Sequence, residues 1–153
     1  MAAGPTHNGW RRDIGNSRMS VYVDGTEVAR FDDSSGDLSM ITGTLDVQDG
    51  GTVTQASNKS TTVILNTHSG QITMNGAALA AAAEVTFTLT NSHIAATDVL
   101  IVNHSSAGTD GAYIVQAGLV ASGSCTITVG NYTTGSLSEA IVISFVLIKG
   151  ASS

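Results

Sequence analysis

Four groups of side chains in this sequence have the chemistry to act on something. Three histidines, His68, His93 and His104, share one stretch with Asp98 and Asp110. A hydrolytic triad needs Ser, His and Asp meeting in space, with the acid orienting the base. Serine is so abundant here that such a combination arises by chance, and no Gly-x-Ser-x-Gly elbow is present. The Gly-x-x-x-x-Gly-Lys-Ser/Thr spacing of a phosphate loop is also missing. Asp32, Asp33 and Asp37 make one turn rich in oxygen donors, but without the alternating ligands and closing Glu of a calcium loop. That turn is expected to be solvated, its Asp and Ser side chains satisfying local backbone groups. The histidines have no His-x-His or His-x-x-x-His spacing for zinc. His93 and His104 fall at opposite ends of one extended segment, too far apart to share an ion locally. The expectation is no catalytic residue, no metal, no cofactor, and no enzymatic activity.

The third group is the single cysteine, Cys125, in a Thr- and Val-rich segment. One cysteine cannot form an intramolecular disulfide, and a free Cys in such a setting is expected to be a small buried hydrophobe. The fourth is aromatic and basic. Trp10, the only tryptophan, precedes Arg11 and Arg12, and Arg18 follows; Trp and Arg dominate interface hot spots. Tyr132, in Gly130-Asn-Tyr-Thr-Thr-Gly135, is a candidate loop aromatic for sugar, with Asn131 and His104 as polar neighbours.

The elements that must position these groups are short strands. Thr62–Asn66, Gly70–Met74, Glu84–Thr90, Asp98–His104, Ala112–Gln116, Cys125–Val129 and Ala140–Ile148 are apolar and Thr-rich, with Gly, Ser and Asn between them. Thr at alternate positions beside Val, Ile or Phe is the period-two pattern of a half-buried strand. Many short strands at regular spacing predict an all-β antiparallel sandwich, either jelly-roll or immunoglobulin-like. The run Asn75–Ala83 is rich in Ala but short and without an amphipathic stripe, so it is read as a connection or a single helical turn. Ser136–Ala140 is a candidate turn of helix.

Three regions separate along the 153 residues. Residues 1–20 are expected to be an extended arm. Residues 21–55 are expected to form a short-stranded β subdomain, opened by a hairpin whose turn is Asp24-Gly25. Residues 56–150 are the sandwich domain. Two or three short strands cannot hold a core of their own, so residues 21–55 must pack on the following domain or on copies of themselves in an oligomer.

Charged residues make up 12% of the chain and the formal net charge is −6. Six Lys and Arg cannot build the basic footprint of a nucleic-acid binder, so no nucleic-acid partner is expected. Residues 1–8 lack the apolar centre of a signal peptide. No segment has the ~20 apolar residues that span a bilayer, so no membrane partner is expected.

The segments Gly51–Ala56, Gly70–Ala80, Phe87–Asn91, Ala95–His104, Gly111–Tyr113 and Ser136–Ala140 together resemble small virion proteins of tailed bacteriophages. Val21–Phe31 is similar to short β segments of phage fibre and capsid-surface proteins. The resemblance runs from about Ser17 onward. It implies a homotrimeric β protein located in the virion on the capsid surface: a head decoration (cement) protein whose partner is the phage major capsid protein. The alternative it implies is a receptor- or glycan-binding fibre component with a host glycan as ligand. Under the first reading Trp10, Arg11, Arg12 and Arg18 contact the capsid. Under the second, Tyr132, Asn131 and His104 bind sugar. No catalytic residue is implied by either.

Overall fold

Asp24 and Gly25 reverse the chain with φ of 49° and 77°. Two successive residues at positive φ are what a two-residue hairpin turn of primed type demands, because only that twist matches the strands it joins. The strands are Arg18–Val23 and Thr26–Asp32, paired antiparallel. This computed structural model describes residues 8–16, 18–32, 35–42, 44–47 and 50–150.

The chain divides into two compact units, Met1–Asp46 and Val47–Ser153. In the first, β1 (Gly9–Asp13), β2 (Arg18–Val23), β3 (Thr26–Asp32) and β4 (Leu38–Met40) form an antiparallel meander in the order β1-β2-β3-β4. The expected extended arm of residues 1–20 is therefore, at positions 9–13 and 18–20, part of a sheet. A single 3-10 turn, Ile14–Asn16, links β1 to β2. Thr44–Val47 is not a strand.

The second unit holds β5 (Thr52–Thr54), β6 (Val63–Ile64), β7 (Ser69–Thr73), β8 (Glu84–Thr90), β9 (Val99–Ser106), β10 (Tyr113–Ala121), β11 (Ser124–Asn131) and β12 (Val142–Ile148). They make two four-stranded sheets, β10-β11-β8-β6 and β5-β7-β12-β9. Pairing is antiparallel except at β5 with β7 and β6 with β8, which run parallel. The fold is all-β, a sandwich as expected, and β5 belongs to it rather than to the N-terminal unit.

Alternation builds the core. In β8 the inward residues are Val85, Phe87 and Leu89, and the outward ones are Glu84, Thr86, Thr88 and Thr90. β11 answers with Cys125, Ile127 and Val129 inward, and Thr126 and Thr128 outward; the Thr86 and Thr128 hydroxyls are 2.8 Å apart. From the opposite sheet Ile72, Ile143, Phe145, Leu147 and Leu100 close the same cluster. Nothing helical forms in 75–83 or 136–140. Instead Leu79 and Leu137 pair in an isolated bridge, with N–H···O distances of 2.8 and 3.0 Å.

Buried polar side chains tie the long connections to this core. Gln55 donates to the Lys59 and Thr61 carbonyls and accepts from the Asn75 amide. Lys59 Nζ donates to the carbonyls of Asn75 (2.7 Å) and Glu139 (2.6 Å), pinning two remote loops together. Asp98 accepts from Lys149 Nζ (2.5 Å) and from the Ala95 and Gly150 amides. Its carboxylate is 1% exposed, and the Lys149 hydrogen bond first, then those backbone donors, lower its pKa from 3.8 to about 2.

Two outcomes follow. A β-carbon on Gly70 would lie 2.8 Å from the Gly51 carbonyl oxygen and 2.8 Å from Leu65 Cδ2. Gly70→Ala should therefore destabilise the sandwich by about 1–3 kcal/mol through overpacking, read by calorimetry; an unchanged midpoint would show that the β5–β7 edge gives way freely. Asp98 is more acidic folded than unfolded, so its stabilisation is complete above about pH 4 and disappears as the pH falls through about 2. Stability of Asp98→Asn measured against pH should lack that component of the acid slope, and an identical slope would refute the assignment.

Candidate interaction surface

The register of the N-terminal meander sorts its side chains by chemistry. Directly paired residues of an antiparallel sheet share a face. One row is Trp10, Val21, Ala29 and Met40; the next is Arg12, Met19, Phe31 and Leu38. Val23, two residues on from Val21, extends the same face. The opposite face carries the row Arg11, Ser20, Arg30 and Ser39, together with Tyr22, Glu27 and Arg18. The first face is thus apolar apart from Arg12, and the second is polar.

Burial runs against the usual expectation. On the apolar face Trp10 is 65% exposed, Leu38 53% and Met40 45%, while Ser20 on the polar face is 1% exposed. Ser20 Oγ donates to Glu27 Oε1 at 2.5 Å, and Arg18 Nε lies 3.9 Å from the same oxygen. Among the described residues of 1–46, no apolar side chain is buried. Trp10 stacks on Phe31 across β2, with centroids 6.2 Å apart and planes at 17°, so the face is a continuous aromatic and aliphatic surface. Fully burying a Leu, Met or Phe side chain contributes about 1.5–3 kcal/mol, so leaving this many in water is a large uncollected stabilisation. A contiguous apolar surface of this kind marks an interaction site.

The four residues expected to contact a partner are therefore in one sheet but not on one face. Trp10 and Arg12 stand on the apolar side; Arg11 and Arg18 stand on the polar side, with Arg30, which the sequence reading did not single out. Period two was legible in Met19, Val21 and Val23 and in Ala29 and Phe31. Taking residues 1–20 as an arm hid Trp10 from that pattern.

Of the sugar candidates, Asn131 and Tyr132 line one pocket and His104 lines another. Asn131 is buried, and its amide is fully engaged: Nδ2 donates to the carbonyls of Leu79, Ala80 and Gly135, and Oδ1 accepts from Thr133. It braces the loop and has no polar atom left for a ligand. His104 Nε2 is 2.7 Å from the Ala107 carbonyl, and its ring meets Tyr113 edge-on at 5.8 Å. Tyr132 is 63% exposed, over a pocket of about 200 Å³ that Ala82, Ala83, Glu84 and Asn131 also line.

Other candidates resolve into structure. His68 and His93 come together, centroids 4.3 Å apart, because the turns before β7 and after β8 lie side by side; no local spacing could reveal this. Among the described residues, no three His, Cys, Asp or Glu side chains converge as metal ligands would. Asp33 lies outside the described residues; Asp32 Oδ1 accepts from the Ser35 amide, as a local turn does. Cys125 is buried, and desolvation raises its thiol pKa. Burial first, then Glu139, pushes the Tyr113 phenol up to about 12. No helix among the described residues is long and apolar enough to cross a membrane. No protein-family model, no curated protein and no solved structure matches the chain.

Proposed function

We propose that this chain is a capsid decoration (cement) protein of a tailed bacteriophage, bound as a trimer to the outer surface of the head, where it strengthens contacts between capsomers. The observation that carries the proposal is the pairing of a self-sufficient sandwich with a second sheet that exposes an apolar face. The sandwich has its own closed core. The N-terminal sheet has none, and so suits a segment whose structure is completed by assembly. The resemblance of residues from about Ser17 onward to small phage virion proteins supports the same reading.

Within that reading the polar face, with Arg11, Arg18 and Arg30, supplies cations for an acidic capsid surface. A trimer presents each of them three times, so modest individual contacts are multiplied by avidity. The chain's role is then mechanical: it adds buried interface across neighbouring capsomers and catalyses nothing.

Co-sedimentation with isolated heads of the phage that encodes the chain tests this. Wild-type protein should pellet at fixed stoichiometry, and Arg11→Glu should need at least about tenfold more protein for half occupancy, a change of about 1.4 kcal/mol. A wild-type protein that stays in the supernatant would overturn the decoration reading. Equal occupancy by Arg11→Glu would remove the polar face from the contact.

One observation favours a second reading, a receptor- or glycan-binding fibre component: the exposed Tyr132 ring beside Glu84 at the mouth of a pocket. A glycan-array signal that vanishes in Tyr132→Ala is the expected result under that reading, and an array without signal for the wild type rules it out.

A further inference from the structure

We infer that the apolar face of the N-terminal sheet is a self-association face, and that three copies of this chain pack these faces around a common axis. The inference deepens the assembly reading above and rests on it for the number three; the sheet's own chemistry supplies the face and its occupant.

Three observations favour copies of the chain as the occupant. The first is folding. Among the described residues of 1–46 no apolar side chain is buried, and a small sheet without a buried face is not stable alone. Its cover must be present whenever the protein folds, and other copies of the same chain meet that condition at synthesis. The second is charge. Residues 1–46 hold four Arg against seven Asp and Glu, and the whole chain carries −6, so two copies repel over most of their surfaces. The face of Trp10, Val21, Ala29 and Met40 has no carboxylate among its described side chains and only Arg12 as a charge, placed on the edge strand β1. It is a surface on which like copies meet without that repulsion.

The third is area. Four strands about 4.8 Å apart, each contributing about five residues at about 3.3 Å, give a flat face of about 300 Å². Two such faces bury about 600 Å² and three about 900 Å², both below the ~1,200 Å² at which stable interfaces begin, so a third copy narrows the shortfall without closing it and the number three comes from the assembly reading. Three sheets also enclose a core lined on every side, which gives the Trp10–Phe31 stack a dry interior.

Trp10 is the chain's only tryptophan, so the wild-type protein reports on its own assembly. Light scattering should give three chain masses. Trp10 emission should be blue-shifted and shielded from acrylamide, and should become red-shifted and quenchable on dilution through the dissociation range. Val21→Glu sets one carboxylate per copy at the centre of the face and should yield monomer with Trp10 open to quencher. Its sandwich, which has a separate core, should keep its thermal transition. Ser39→Glu, on the polar face, is the control and should stay trimeric even if the sheet is somewhat weakened. A wild type that is monomeric or dimeric, or a Val21→Glu protein that remains trimeric, overturns the inference. The outcomes are distinguishable from those of the decoration reading: a trimer that ignores phage heads fails only the latter, and a monomer that coats them fails the former and leaves head binding without the trimer.

Discussion

A β-sheet with one apolar face must hide that face, and this single requirement accounts for both units of the molecule. In the residues from Val47 onward it is met within the chain. Two sheets turn their alternating Val, Ile, Leu and Phe positions toward each other, and the residues between them are almost completely withdrawn from water. Once that core is closed, the outward positions are at liberty to be Thr, Ser and Gln, which is why the surface of β8 and β11 is a ladder of hydroxyls rather than of charges. In residues 1–46 the same requirement is left unmet by the described residues, and the alternation is equally regular. The two units share one alternation, and among the described residues only the second withdraws its apolar positions from water.

The connections obey a second rule, that buried backbone groups need partners. The sandwich has long irregular segments between strands, and the residues that anchor them are few: Gln55, Lys59, Asn91, Asp98 and Asn131, all buried. Each bonds to main-chain atoms of a segment distant in sequence or of its own loop. Asn91, for example, donates to the Thr67 carbonyl and accepts from the His93 amide. Such side chains do in loops what ladder hydrogen bonds do in strands.

Strands with strict alternation were legible from the residues alone. Glu84–Thr90 coincides with β8, and the C-terminal apolar run contains β12. The Asp24-Gly25 turn was legible too, because the residue types that tolerate positive φ are few. What escaped depends on pairing between distant segments. β10 continues to Ala121, well past the expected Gln116, because β11 supplies a partner along most of its length. Leu137 is held by Leu79 rather than by a helical turn. The burial of Asn131 and the meeting of His68 with His93 are likewise properties of the fold, not of any local pattern. The apolar face lay in between: its period was in the sequence, but the strand that contributes Trp10 was not recognised as one.

The buried thiol has a consequence for crowding. Cys125 sits on β11 at 1% exposure, with its sulfur 3.1 Å from the Gly118 carbonyl and its ionisation suppressed by desolvation. Disulfide formation requires an accessible thiolate. Proteins held shoulder to shoulder at high local concentration are the ones most prone to mixed disulfides between neighbours, and the one thiol of this chain is buried out of a neighbour's reach. Copies of the chain at high concentration are therefore not joined through sulfur while the sandwich stays folded.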